Sequence, residues 1–104
     1  MPRIAVKMKL FKGFEEEYKK RHDEIWPELQ DLLKESGISD YYIFLDPSSG
    51  DLFGSMKVDD PAVLERLPAQ PVMQKWWKYM ADIMESNPDN SPVSIPLTKV
   101  FYLP

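Results

Sequence analysis

The sequence predicts an α+β fold in which helices cover one face of an antiparallel β-sheet. Some segments place apolar residues at every second position, as a half-buried strand does, and others place them at helical spacing. In chain order these segments read strand, helix, strand, strand, helix, strand, which is the ferredoxin-like β-α-β-β-α-β arrangement. A length of 104 residues suits one core, so we expect a single domain over residues 1–104.

The strands are predicted from alternating apolar residues or from segments rich in aromatic and branched residues. Residues 3–10, RIAVKMKL, predict the first strand. Residues 40–46, DYYIFLD, and residues 51–58, DLFGSMKV, are joined by the turn-forming sequence PSSG, so together they predict a hairpin. Residues 97–103, LTKVFYL, predict the strand that closes the sheet.

The first helical region carries an apolar stripe from Phe14 to Leu33, and Gly37 is placed to end it. Pro27 interrupts this region, because it has no N–H to donate and its ring crowds the preceding turn. We therefore expect a kink or a break around residues 23–26.

The second helical region begins at Asp60 and Pro61, which have the form of an N-cap followed by proline at the first helical position. They predict a short helix over 61–67, and helical spacing returns over 72–84, VMQKWWKYMADIM. Residues 85–96 hold three prolines and show neither period, so we expect an ordered loop or a lid there.

The strand over 40–46 is apolar on both faces, because Tyr41 points to one face while Tyr42 and Phe44 point to the other. A strand with one face in water alternates apolar with polar residues instead. The second face therefore needs a cover. A second copy of the chain provides it most simply, and we expect a dimeric α+β barrel in which two sheets pack face to face.

The composition is that of an ordinary globular protein, with 43% hydrophobic and 29% charged residues. A net charge of −4 gives no attraction for phosphate backbones or anionic lipid, so we expect neither nucleic acid nor a membrane surface as a partner. The chain has no cysteine and a single histidine, and no metal-ligand spacing is present. We expect no secretory signal and no membrane-spanning segment, and hence a small cytoplasmic protein.

His22 follows Tyr18 by one helical turn, so the two side chains can meet the same ligand. Histidine titrates near neutral pH and can both give and take a proton. The spacing is a weak signal, because a histidine that merely packs beside a tyrosine has it too. The nearby Asp23, Glu24 and Glu28 could include a glycosidase pair, but a solvated helix face is the simpler interpretation.

Trp76 and Trp77 are adjacent in the predicted helix over 72–84, so their side chains point about 100° apart. Residue chemistry alone favours core or dimer packing for both. The alternative is an aromatic platform, since flat rings stack on the C–H faces of sugars and indole N–H groups donate to hydroxyls.

Five motifs carry a resemblance to a known family: KRHDEIWPEL, YYIFLD, QKWWKYM, NPDNSPV and the terminal VFYLP. In this order and spacing they closely resemble the L-rhamnose mutarotase family, over essentially the whole chain. The resemblance implies a cytoplasmic dimeric α+β barrel that needs no metal or organic cofactor and supplies the correct anomer of L-rhamnose to sugar catabolism. It also implies that the proton donor is His22 and that the residues in contact with the sugar are Tyr18, Tyr41, Trp76 and Trp77.

Interconversion of pyranose anomers requires ring opening at C1, rotation of the aldehyde, and closure on the other face. Opening delivers a proton to the ring oxygen and removes one from the anomeric hydroxyl, and a group with a pKa near 7 suits both steps. The second proton carrier stays open among Tyr18, a carboxylate of residues 87–91 and bound water. If His22 acts in its protonated form, as the donor role favours, activity should fall as the pH rises. If the neutral ring is needed, activity should fall as the pH decreases.

Two other functions fit parts of the sequence. Dimeric α+β barrels include cofactor-free monooxygenases and haem-degrading enzymes, in which a lone histidine can bind iron, and a Soret band in the purified protein would reveal haem. A non-catalytic sugar-binding module would shift tryptophan fluorescence with L-rhamnose and leave anomer exchange unchanged.

Overall fold

The fold is known from a computed structural model that describes residues 2–104. The strands are β1 (Arg3–Lys9), β2 (Ile38–Asp46), β3 (Asp51–Val58) and β4 (Ile95–Pro96), and the helices are α1 (Glu15–Asp23), α2 (Pro27–Glu35), α3 (Val63–Arg66) and α4 (Pro71–Met80). All paired strands are antiparallel, in the order β2-β3-β1-β4. The predicted α+β, ferredoxin-like arrangement is confirmed, while the dimeric assembly stays a prediction.

The first helical region is broken at Pro27, as predicted. Helix α1 ends at Asp23, and Pro27 is the first residue of α2. A backbone N–H at this position would have no acceptor within the helix, so proline loses no hydrogen bond there. Gly37 follows α2 with a φ of +82°, a conformation that glycine adopts without strain. Trp26, immediately before the second helix, is thereby turned toward α4.

The prediction of a strand over 97–103 is wrong. Strand β4 is only Ile95–Pro96, and it pairs with Val6 and Lys7 of β1. A run of strand-forming residues becomes a strand only where its backbone bonds to a neighbouring strand. Beyond the bond from the Leu97 N–H to the Ala5 carbonyl (2.9 Å), residues 98–103 pair with no strand in the part of the chain that the structure describes.

The two later helices are shorter than their apolar spacing predicts. Helix α3 occupies only Val63–Arg66, and a 3-10 turn follows at Leu67–Ala69, where Pro68 interrupts the α-helical ladder. Helix α4 ends at Met80 instead of continuing to residue 84. Met84 forms a bridge to Leu10 at the end of β1, so the chain leaves the helix to join the sheet edge.

The core lies between the helices and one face of the sheet. Its most buried side chains are Leu10, Leu29, Leu52, Val58 and Ile83. The opposite face of the sheet carries Tyr42 and Phe44, which are 54% and 64% exposed. No helix within residues 2–104 is long and apolar enough to cross a membrane.

Candidate active site

His22 lies in the last turn of α1 with one ring nitrogen occupied. Its Nδ1 is 3.0 Å from the carbonyl oxygen of Tyr18, and its ring stacks on the Tyr18 ring with centroids 4.3 Å apart. Because a carbonyl oxygen only accepts hydrogen bonds, Nδ1 carries the hydrogen and donates it. In the neutral ring the lone pair is therefore on Nε2, which is the nitrogen left to exchange a proton with a ligand.

The surroundings of His22 favour its neutral form. Burial lowers the pKa of His22 below its ordinary 6.5, and the opposing effects of the Tyr18 carbonyl and of Asp23 are smaller. The imidazole is therefore mostly neutral at pH 7. In that form Nε2 presents a lone pair and accepts hydrogen bonds.

Trp76 of α4 forms the wall beside this histidine. Trp76 is only 6% exposed, and its ring meets His22 edge to face, with centroids 5.4 Å apart at 87°. Trp26 and Tyr79 extend the contact at 5.1 and 5.7 Å from Trp76. We call the set formed by Tyr18, His22, Trp26, Trp76 and Tyr79 the aromatic cluster.

Sequence reasoning missed the last two wall residues, Trp26 and Tyr79. The rings of Trp26 and Tyr79 stack on each other at 5.6 Å, although they lie on separate elements. One signal was available, because Tyr79 follows Trp76 by three residues and so shares its helix face. Trp26 has no such signal, since its direction depends on the break before Pro27.

Arg21 fastens α1 to the end of α4. Its guanidinium lies over the Tyr79 ring, 4.2 Å from the centroid, and donates to the Tyr79 carbonyl at 2.7 Å. It also donates to Asp82 at 2.9 Å and to Glu17 at 2.7 Å, while its own side chain is only 10% exposed. These contacts fix the face of α1 that carries His22 against α4.

Tyr18 and Tyr41 are the two tyrosines that the sequence predicts to contact the sugar. Tyr18 is 8% exposed, and burial, followed by the neighbouring Tyr41, raises its pKa far above the ordinary value. Burial also raises the pKa of the Tyr41 hydroxyl, although 39% of the residue is exposed. Both phenols therefore keep their protons near neutral pH and can donate hydrogen bonds to a ligand.

Trp77 is not part of the aromatic cluster. It lines an open pocket of about 440 Å³ together with other residues of α4 and of the following loop, namely Pro68, Pro71, Gln74, Lys75, Lys78, Asp89 and Asn90. Among residues 2–104 its ring makes no aromatic pair with the cluster. Adjacent helical residues diverge by about 100°, so Trp76 and Trp77 reach different surroundings.

The carboxylates near His22 belong to a solvated surface. Asp23, Glu24 and Glu28 are all exposed, and Asp23 accepts a hydrogen bond from Lys19 at 2.7 Å. In the following loop, the Asp89 carboxylate accepts hydrogen bonds from the backbone and hydroxyl of Ser91, which lower its pKa. The expectation of a solvated helix face fits these positions better than a glycosidase pair does.

Fold and site define a class: a small antiparallel α+β protein with a partly buried histidine held among aromatic rings. A family model for L-rhamnose mutarotase matches residues 3–103. The chain belongs to the L-rhamnose mutarotase family.

Individual relatives agree with this assignment. The L-rhamnose mutarotase of Agrobacterium fabrum is 61% identical over 100 residues, which are 96% of this chain and 94% of that protein. The L-rhamnose mutarotase of Formosa agariphila is 52% identical over 103 residues, 99% of each chain. A crystal structure of an L-rhamnose mutarotase from Formosa agariphila covers 100% of both chains with a TM-score of 0.93 and 51% identity.

One more distant structure shares the fold. The crystal structure of an antibiotic biosynthesis monooxygenase covers 96% of this chain and 99% of its own, with a TM-score of 0.51 and 12% identity. At that identity the likeness concerns the architecture alone. The chemistry must be argued from the site itself.

Proposed function

We infer that this protein is an L-rhamnose mutarotase, which interconverts the α and β anomers of L-rhamnopyranose by acid–base-catalysed opening and closure of the ring. The observation that carries this inference is the environment of His22. One ring nitrogen is bonded to the Tyr18 carbonyl, and the other is left for a ligand among aromatic side chains. Membership of the family supplies the identity of the sugar.

The Nε2 atom of His22 can perform both proton transfers. The anomeric hydroxyl gives its proton to Nε2, the C1–O1 bond becomes a carbonyl, and the electron pair of the breaking C1–O5 bond goes to O5. The resulting imidazolium then returns the proton to O5. Both oxygens are bonded to C1, so one nitrogen reaches each in turn, and closure after rotation of the aldehyde is the same step in reverse.

Tyr18 and Tyr41 serve as hydrogen-bond donors in this proposal. Their raised pKa values make either phenolate costly to form, so neither is a good base. Neutral phenols can instead donate to sugar hydroxyls and hold the open chain beside His22. Because the nearby carboxylates are exposed to solvent, the imidazole of His22 is the group best matched to proton exchange near neutral pH.

We propose that Trp76 and Trp77 contact the sugar from different sides and contribute differently to stability. Trp77→Phe should raise KM about 3–10-fold with little change in Tm, because Trp77 is half-buried beside an open pocket. Trp76→Phe should lower Tm by about 4–8 °C, because a buried ring of the aromatic cluster shrinks. Thermal melts and steady-state kinetics of the two variants measure this, and the idea of a sugar platform fails if both change stability alone.

The pH dependence follows from the lowered pKa of His22. The neutral ring starts the reaction, so kcat/KM should rise with pH through the His22 pKa, below 6.5, and stay level above it. This is the opposite of the dependence that the donor role favours when the sequence is considered alone. Rates between pH 4.5 and 8, corrected for uncatalysed exchange, test it; a decline with rising pH in that range would show that the imidazolium is the resting form.

We also propose that the protein is a cytoplasmic homodimer. Tyr42 and Phe44 stack on each other at 6.1 Å on the exposed face of the sheet, and Phe53 of β3 lies opposite Phe44. The segment after β4 exposes further apolar residues: Val100, Phe101, Tyr102 and Leu103. A second copy of the chain can cover both surfaces. The cytoplasm is where sugar catabolism uses the product.

Polarimetry tests the function directly. Freshly dissolved α-L-rhamnose should approach its equilibrium rotation faster as protein is added, in proportion to the protein concentration. L-Fucose and L-mannose, measured in the same way, define how strictly the sugar is chosen. Quenching of tryptophan fluorescence by L-rhamnose without any acceleration would identify a binding module instead.

A further inference from the structure

Strand β2 contains one extra residue opposite β3. Ser39 pairs with Lys57 and Tyr42 pairs with Ser55, so Asp40 and Tyr41 together stand opposite Met56. An extra residue of this kind is a β-bulge, and it reverses which face the following side chains occupy.

The bulge determines the direction of Tyr41. Before it, Ile38 is buried in the core, and in a regular strand the core-facing positions would continue at even numbers. After it, Ile43 pairs with the buried Gly54, so the odd positions face the core. Tyr41 is therefore turned toward the helices and Tyr42 toward the exposed face.

The backbone of Asp40 is in the left-handed region, with a φ of +49°. Among residues other than glycine, aspartate and asparagine tolerate this conformation best, and β-branched residues tolerate it worst. Such conformations persist where the surroundings hold them, and they are frequent next to functional sites.

Side chains of β3 and of β1, the next strand beyond it, hold Asp40. Its carboxylate forms an ion pair with Arg3 of β1, and Lys57 Nζ of β3 is 3.8 Å from the same oxygen. Arg3 also donates to the Ser55 hydroxyl at 2.7 Å and lies 3.4 Å from the Asp40 carbonyl. These contacts lie on the exposed face of the sheet, opposite the aromatic cluster.

The Tyr41 ring needs the space above Gly54. A Cβ atom added at Gly54 would lie 3.5 Å from Cε1 of Tyr41 and 3.5 Å from Cγ2 of Val6. The Tyr41 ring therefore lies over β3 at Gly54, the one residue of that strand without a side chain, and points toward Tyr18.

We propose that Asp40 is a positioning residue: its left-handed conformation, held by Arg3 and Lys57 from the outer face of the sheet, aims the Tyr41 phenol into the site. This inference rests on the proposed function, in which Tyr41 donates to the sugar. Asp40 itself touches no substrate.

The test compares Asp40→Val with Asp40→Gly. Valine opposes the left-handed conformation, so Asp40→Val should raise KM about 3–10-fold with a smaller change in kcat. Glycine keeps the conformation, so Asp40→Gly should stay within about threefold of the native KM. In a Tyr41→Phe background, Asp40→Val should add no further increase, because both changes remove the same contact.

A second readout does not depend on activity. NMR titration of the Tyr41 phenol carbon should give a pKa above the ordinary 10.0 in the native protein and in Asp40→Gly, and a value nearer 10.0 in Asp40→Val. If Asp40→Val does not fold, Asp40→Ala undergoes the same two measurements. A folded variant with native KM and native Tyr41 titration would overturn the proposal. A native protein that exchanges no anomers would overturn the proposed function instead, and the Tyr41 titration would then decide the role of Asp40 alone.

Discussion

Replacing His22 with asparagine should reduce kcat/KM for anomer exchange by about 10²–10⁴-fold, the usual cost of removing a general acid–base group. The loss is expected to be large because Nε2 of His22 is assigned both proton transfers. Tyr18 and Tyr41, the tyrosines proposed to contact the sugar, have raised pKa values and are poor bases at neutral pH. Asparagine keeps a polar side chain but no group that titrates in this range.

Two controls make the result interpretable. Glu24→Gln alters an exposed residue two positions away and should retain native activity. The Tm and sedimentation of His22→Asn should match those of the native protein, since His22 is only partly buried. Native-rate exchange in His22→Asn would contradict this role and assign the proton transfers to another group.

Phe44→Asp should convert the proposed dimer to monomers or to aggregate. Phe44 is 64% exposed, stacks on Tyr42 and pairs across the strands with Phe53. It is therefore the central residue of the three aromatic side chains on the exposed face of the sheet. Dimerisation would bury a carboxylate there without a partner, which costs several kcal/mol for each of the two copies. The summed cost is comparable to the whole free energy of a micromolar association. Tyr42→Asp should behave in the same way.

Sedimentation velocity at micromolar concentration measures this outcome. The matched control is Gln30→Asp, which adds the same charge at an exposed position of α2 on the other side of the molecule. Gln30→Asp should remain dimeric. Native protein that sediments as a monomer would refute the proposed assembly regardless of the variants.

The fold was predictable where a residue or a short motif has a single known effect on the backbone. Pro27 lacks an N–H, and the helical region breaks before it. The PSSG turn joins β2 to β3 as expected. The last strand was not predictable, because residues 97–103 have strand-forming residue types, yet among them only the Leu97 N–H bonds to β1 in the described chain.

The site was predictable in its parts but not in its arrangement. Helical spacing correctly brings Tyr18 and His22 together, with centroids 4.3 Å apart. The contribution of Arg21 depends on contacts with Tyr79 and Asp82, residues far away in the chain, and no local pattern contains them. The bulge at Asp40 is equally hidden, because nothing in the sequence of residues 40–46 marks it before the register with β3 is known.

Saturation-transfer NMR between the anomeric protons of L-rhamnose at equilibrium tests the central claim most directly, because it observes exchange itself. With a catalytic amount of native protein at pH 7.5, saturating the α-anomer signal should diminish the β-anomer signal, and His22→Asn should abolish this transfer. Native protein that binds L-rhamnose but transfers no saturation would contradict the account.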